Sequence, residues 1–120
     1  MKNIVYLRDD GIIYVEKIGD QTGPMLFDLM GQISILALQL RNQRKKVLIL
    51  SNAQHEGKMD PNSIRAASKV GTDLDYDKSA TYGASAHLDK LRKNEIRKVK
   101  LDQKVADFRT EEEAVRWLLK

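Results

Sequence analysis

The amino-acid sequence predicts one α/β domain with a largely parallel sheet and an antiparallel hairpin at one edge. Short segments rich in β-branched and aromatic residues alternate with longer segments of helical period, which is typical of parallel sheets. The turn signal at residues 9–11 separates two strand-like segments with no helix between them. The 120 residues, 42% hydrophobic and 32% charged, suit a single domain spanning 1–120. We expect the order β-hairpin, α, β, α, β, α, β, α.

The predicted strands begin with the hairpin. Residues 3–8 and 12–18 are rich in Ile, Val and Tyr, and Gly11 between them allows the positive φ of a tight turn. A continuous apolar run at 47–50 is typical of a strand buried on both faces. Two shorter strands are expected at 80–82 and 105–108, with a polar loop at 51–59.

The first predicted helix runs from about residue 24 to residue 42. Thr22 or Gly23 is a suitable N-cap, and Pro24 suits the first helical position because its missing N–H needs no partner there. Its main apolar face has the i, i+3, i+4, i+7 spacing of a buried helix. That face consists of Leu26, Leu29, Met30, Ile33, Leu36, Ala37 and Leu40.

Three further helices each begin with a capping residue. Asp60 precedes a helix that extends to about residue 70, and Ser85 precedes one that extends to about residue 100. Thr110 and Glu113 form a capping box, in which each residue bonds to the backbone of the other. This box opens a last helix with three inward residues. They are Ala114, Trp117 and Leu118.

The far side of the first helix is the main candidate binding surface. Phe27, Gly31, Ile35 and Leu38 fall within an arc of about 80° at 100° per residue, and Ser34 joins them at one edge. A second apolar strip indicates contact with something, because a solvated helix face is normally polar. The candidates are a protein partner, a second copy of the chain, or a lipid-like molecule held between helix and sheet. The alternative is that another helix of the same domain covers the strip.

Three stretches, at residues 46–52, 78–85 and 105–118, carry a likeness that with the element order spans nearly the whole chain. They resemble the STAS domain, the fold of bacterial anti-sigma-factor antagonists, and its branch related to SEC14-like lipid-binding domains. The resemblance implies a non-enzymatic regulatory module in a bacterial-type cytoplasm. In phospho-regulated members, a Ser or Thr follows an Asp at the start of the helix after the central strand. Here Pro61 follows Asp60, and the nearest hydroxyl belongs to Ser63.

Two polar groups are further candidates. Asp60 and Ser63 lie at a predicted helix start, where free N–H groups favour an anion or phosphoserine, although simple capping explains both residues. A second candidate pocket lies at the end of the 80–82 strand and the start of the next helix, where ligands bind in α/β sheets. Its residues are Ser79, Thr81, Tyr82 and His87; the alternative is an ordinary surface histidine beside a capped helix.

Several classes of function are not expected. The chain has no Cys and two His, which excludes disulfides, a cysteine nucleophile and thiolate zinc sites and predicts no metal or cofactor. No G-x-S-x-G motif indicates a serine hydrolase, so we predict no catalytic residue. The basic segment 90–104 contains interspersed acids and no aromatic residue, which favours a solvated helix face over a nucleic-acid site. We expect neither a signal peptide nor a transmembrane segment.

These observations predict a binding module rather than an enzyme. We expect it to act by protein–protein contact or self-association through the far side of the first helix. A carrier or sensor of a small apolar ligand, in the SEC14-like manner, is the alternative. An enzyme would need His87, Tyr82 and Ser79 gathered in one polar cleft.

Overall fold

The computed structural model describes residues 2–59, 61–63, 65, 74, 76–84 and 104–120. Its elements are β1 (Ile4–Leu7), β2 (Ile12–Glu16), α1 (Gly23–Asn42), β3 (Leu48–Asn52), β4 (Lys78–Tyr82), β5 (Val105–Phe108) and α2 (Glu111–Leu119). Residues 61–63 and 65 are also helical. The helix expected at 86–100, the cap Asp60 and residues 66–70 lie outside the described residues.

The strands form one sheet in the order β1-β2-β3-β4-β5. β1 pairs antiparallel with β2, and the other three pairings are parallel. The hairpin turn is closed by the Arg8 N–H donating to the Ile12 carbonyl at 2.8 Å, and Gly11 adopts a φ of 85°. The predicted mixed sheet with an antiparallel edge is therefore confirmed.

Two apolar cores lie on opposite faces of this sheet. Ile12 and Ile13 are adjacent and both fully buried, because successive strand residues point to opposite faces. Helix α1 covers one face, where it packs against Ile13, Val15 and Ile49. Helix α2 covers the other face, where Ala114 and Leu118 meet a second set of strand residues. That set is Ile12, Leu48, Leu50, Ala80 and Tyr82.

Two strands are longer than their side chains predict. β3 extends to Asn52 and not only to Leu50, and β4 begins at Lys78. The parallel register explains both differences, since Glu16 pairs with Asn52 and Leu48 pairs with Lys78. Backbone pairing with the neighbouring strand sets the strand ends here, so polar residues are included.

The helix caps agree with the predictions from the sequence except for the position of Pro24 and the hydrogen bond of Glu113. The Thr22 hydroxyl accepts from the Met25 N–H at 3.3 Å, and Pro24 is the second helical residue rather than the first. The Thr110 hydroxyl accepts from the Glu113 N–H at 3.3 Å. The Glu113 carboxylate accepts from the Thr110 hydroxyl at 3.2 Å, not from its backbone N–H. Trp117 is half-buried, because its ring packs beside Phe108 and under the Lys78 ammonium.

Two loops at the carboxyl ends of β2 and β3 are tied together. The Gly19 N–H donates to the His55 carbonyl at 2.8 Å, and the Gly57 N–H donates to the Gly19 carbonyl at 2.7 Å. The Lys58 N–H donates to the Asp20 carboxylate at 2.6 Å. A Cβ on Gly57 would collide with residues 19 and 20, so glycine is required there. The loop before α1 and the loop after β3 therefore form one unit.

Candidate functional site

Helix α1 has one buried face and one exposed apolar face. Its buried residues are Leu26, Leu29, Ile33, Ala37 and Leu40. On the outer face, the side chains of Phe27, Ile35 and Leu38 are 78%, 61% and 63% exposed. Gly31 and Ser34, which lie between them, are exposed as well. We call these five residues the α1 strip; none of the described parts of the chain covers it.

The α1 strip presents apolar side chains and bare backbone rather than polar groups. The Ser34 hydroxyl donates to the Met30 carbonyl of the same helix at 2.8 Å, so it is satisfied without solvent. A Cβ placed on Gly31 would meet nothing within 4 Å. The strip has no charged residue. It is therefore a surface suited to contact with another apolar surface.

A shallow depression lies along the amino-terminal half of the strip and is open to solvent. Its apolar wall includes Phe27 and Ile35, and its polar rim is formed by Gln32, which donates to Asp28 at 3.0 Å. The floor includes Gly31 and the start of the helix. Small-molecule sites usually enclose most of their ligand, so this open shape suits a protein surface better.

The space between α1 and the sheet is filled by the protein's own side chains. Leu29 and Ile33 from the helix meet Ile13, Val15 and Ile49 from the strands, and all five are buried. A lipid tail in the position expected for a carrier would have to displace this core. By length and composition alone α1 is apolar enough to cross a membrane, yet its inner face is part of this core.

The predicted polar pocket on β4 includes residues from both faces of the sheet. Ser79 and Thr81 alternate with Tyr82 along the strand, so they point to the opposite face of the sheet. Tyr82 packs in the core beneath α2, and its hydroxyl lies 3.5 Å from the Glu111 carboxylate. His87 lies outside the described residues. Thr81 and Tyr82, which are adjacent in the strand, therefore lie on opposite faces of the sheet, and the pocket as a whole stays a prediction.

The predicted anion site is described only in part. Ser63 is helical and 7% exposed, whereas Asp60 lies outside the described residues. A hydroxyl this buried reaches a modifying enzyme only if the segment opens. The role of Asp60 and Ser63 stays a prediction.

A polar cluster that sequence reasoning missed lies at the carboxyl ends of β2 and β3. The Tyr14 hydroxyl donates to Glu16 at 2.7 Å and accepts from the Asn52 amide at 3.1 Å. The His55 Nδ1 lies 3.2 Å from the other Glu16 oxygen. The available signal was the position of Glu16 directly after Val15, and of Asn52 two residues after Leu50, at the ends of two apolar strands. These groups satisfy one another, which is typical of a structural network.

The phenols of Tyr14, in this cluster, and of Tyr82, in the core beneath α2, both have a raised pKa and stay protonated near neutral pH. Burial raises the pKa of Tyr14, with a further rise from Glu16 that the Asn52 amide partly offsets. Burial, the Tyr14 hydroxyl and the Glu111 carboxylate raise the pKa of Tyr82 still further. Neither phenol can therefore act as a base near neutral pH. Among the described residues, no group of three or more His, Asp or Glu side chains is placed to hold a metal ion.

A buried carboxylate lies under the tied loops. The Glu56 side chain is 1% exposed, and one of its oxygens lies 3.9 Å from the Lys17 ammonium. Its other oxygen meets no hydrogen-bond donor among the residues that the structure describes. A buried charge is costly unless it is paired, so we assign Glu56 and Lys17 to bracing these loops.

The fold can be compared with known proteins. No family model matches the sequence, and no curated protein matches it. This chain is similar to the solved structure of the anti-sigma factor antagonist SpoIIAA in its unphosphorylated form. The similarity covers 98% of this chain and 97% of the SpoIIAA chain. The TM-score is 0.59 and the sequence identity is 15%, so the likeness concerns the fold. The chain therefore shares the fold of that anti-sigma factor antagonist.

Proposed function

We propose that this protein is a non-enzymatic regulatory module of the STAS type that acts by binding a protein through the α1 strip. The observation that carries the proposal is the exposure of Phe27, Ile35 and Leu38 on a helix whose other face is fully used by the core. The shared fold with a protein named as an anti-sigma factor antagonist supports a regulatory role. The proposal includes a cytoplasmic location of the bacterial type.

Burial of the strip favours a reversible complex. A large apolar side chain contributes about 1.5–3 kcal/mol when it is fully buried, and these three are already partly covered. Association costs several kcal/mol in lost freedom of motion. The net affinity is therefore modest, as suits a regulatory contact that must be made and broken.

A photo-crosslinking residue in the strip tests the proposal. Benzoylphenylalanine in place of Ile35, expressed in cells of the protein's own source, should yield a crosslinked protein product, which is this chain or another. Leu38→Asp in the same chain should remove that product, because a carboxylate cannot be buried unpaired in an apolar contact. Phe27→Ser should weaken the product for lack of apolar area.

The matched control is Gln39→Asp, which adds the same charge to an exposed polar position beside Leu38. This variant should keep the crosslinked product. All three substitutions should leave the circular dichroism spectrum unchanged, because they alter exposed side chains. A product that survives Leu38→Asp, or one that contains only lipid, contradicts the proposal.

A further inference from the structure

The α1 strip contains a pattern that is the same in both directions. Phe27, Gly31, Ser34 and Leu38 are separated by four, three and four residues. The large side chains stand at the two ends and the small residues stand in the middle. A twofold interface uses the same patch on both copies, so it requires such a self-complementary arrangement.

An antiparallel second copy of α1 matches this pattern. With the twofold axis midway between Gly31 and Ser34, each Phe27 lies opposite Leu38 of the second copy. Each Gly31 then lies opposite Ser34 of the second copy. These four of the five strip residues are paired large with large and small with small, and small residues at the centre let two helices approach closely.

Gly31 is otherwise unexplained in this helix. Glycine within a helix costs about 1 kcal/mol relative to alanine. In this chain a Cβ at Gly31 would meet open space, so the monomer has no steric need for glycine there. A partner helix packed closely against residue 31 would leave no room for a side chain there, which explains the glycine.

The charges at the two ends of α1 favour the same arrangement. The exposed acids Asp20 and Asp28 lie near its amino-terminal end, and residues 20–40 contain no Lys or Arg. Four bases follow at its carboxyl-terminal end. They are Arg41, which already pairs with Asp77 at 3.1 Å, and the exposed residues Arg44, Lys45 and Lys46. An antiparallel copy places acidic ends beside basic ends and opposes the helix dipoles, whereas a parallel copy places like charges together.

We infer that the α1 strip is a twofold interface between two copies of this chain, with their α1 helices antiparallel. This inference rests on the proposed function, since it names the occupant of the same surface.

Light scattering over a concentration series tests the dimer. The wild-type mass should rise from 13.7 kDa toward twice that value. Gly31→Leu should weaken self-association by at least about tenfold, because the added side chain prevents close approach, while leaving the monomer folded. Gln32→Leu is the control, because it adds the same side chain beside Gly31 but outside the strip, and it should keep the dimer.

Cysteine crosslinking tests the register, because the natural chain contains no cysteine. Phe27→Cys and Leu38→Cys are prepared as separate proteins and treated with a short bis-maleimide linker. The mixture should give a covalent dimer, since packed helix axes lie about 8–10 Å apart. Each variant alone should give no covalent dimer. In two antiparallel helices the same cysteine of the two copies is separated along the helix axis by the length of 11 residues, or about 16 Å.

Three results overturn the inference: a monomer at every concentration, a dimer unaffected by Gly31→Leu, or single-cysteine variants that crosslink as well as the mixture. These results are distinguishable from failure of the proposed function. A different protein that crosslinks to residue 35 and depends on Leu38 would support the function while removing the homodimer. Absence of both the product crosslinked at residue 35 and the homodimer would contradict the proposed function and this inference together.

Discussion

At the scale of single residues, Asp77 joins the end of α1 to the start of β3. Its carboxylate accepts from the Val47 N–H at 2.7 Å and lies 3.1 Å from the Arg41 guanidinium. Burial alone would raise the pKa of Asp77, but the Val47 N–H, Arg41 and Lys46 outweigh it and lower the pKa below its ordinary value. The charged form is therefore favoured in the folded state.

This contact predicts a pH-dependent contribution to stability. Asp77→Ala should lower the free energy of unfolding by about 1.5–3 kcal/mol at pH 7, the usual contribution of a hydrogen bond to a charged group. Because the folded pKa is lowered, the contribution is complete above about pH 4 and is lost as the pH falls through the folded value. Urea denaturation of the wild type and the variant at pH 7 and at pH 2–3 measures the loss of unfolding free energy at each pH. Asp77→Asn keeps an acceptor without the charge, so its free energy of unfolding should lie between those of the wild type and Asp77→Ala. If Asp77→Ala loses the same stability at both pH values, this account is contradicted.

Single residues also show how the period of a strand bears on the predicted polar pocket. Ser79, Thr81 and Tyr82 are neighbours in sequence, but the strand period of two sends Tyr82 to the α2 face. That period was readable from the sequence, whereas the contact of Tyr82 with Glu111 depends on the packing of α2 and was not. Exposure of Phe27 and Leu38 followed correctly from helical period alone.

At the scale of elements, local signals predicted the helix starts and tertiary pairing set the strand ends. The caps Thr22 and Thr110 were recognisable, because capping depends on residues within one turn. The extension of β3 to Asn52 was not, because it depends on pairing with Glu16, which is 36 positions away. Local hydrogen bonding is encoded locally, and register is not.

The cap of α2 gives a prediction for an element. Thr110→Ala should lower the free energy of unfolding by about 1 kcal/mol, because the Glu113 N–H loses its acceptor at the helix start. Thr110→Ser keeps the hydroxyl and should recover most of that loss. Chemical denaturation of the three proteins measures the difference; equal stability of the alanine and wild-type proteins would show that the cap contributes nothing.

At the scale of the whole molecule, the sheet is shared by two cores, so both should unfold together. Leu29 lies in the core under α1, Leu118 lies in the core under α2, and each is at most 2% exposed. The fold was predictable from the order of elements, because that order restricts the sheet to few topologies. The partner proposed for the α1 strip was not predictable in this way, because the order of elements within one chain does not specify what its surface binds.

This shared sheet predicts a single unfolding transition. Leu29→Ala and Leu118→Ala should each lower the free energy of unfolding by about 2–5 kcal/mol. Fluorescence of Trp117 reports the α2 side, and circular dichroism reports the whole chain. The two signals should coincide in both variants. If Leu29→Ala shifts the dichroism midpoint and leaves the fluorescence midpoint in place, the faces unfold separately.

The hydrogen bonds that join the loop before α1 to the loop after β3 limit where this chain tolerates inserted residues. Connecting segments usually absorb insertions, but here lengthening either segment would pull apart the bonds from Gly19 to His55 and from Gly57 to Gly19. Within the part of the chain that the structure describes, the hairpin tip at residues 9–11, at the other end of β2, has no backbone hydrogen bond to a second loop. An inserted reporter or affinity tag therefore belongs at that tip, away from the α1 strip that it would be used to study.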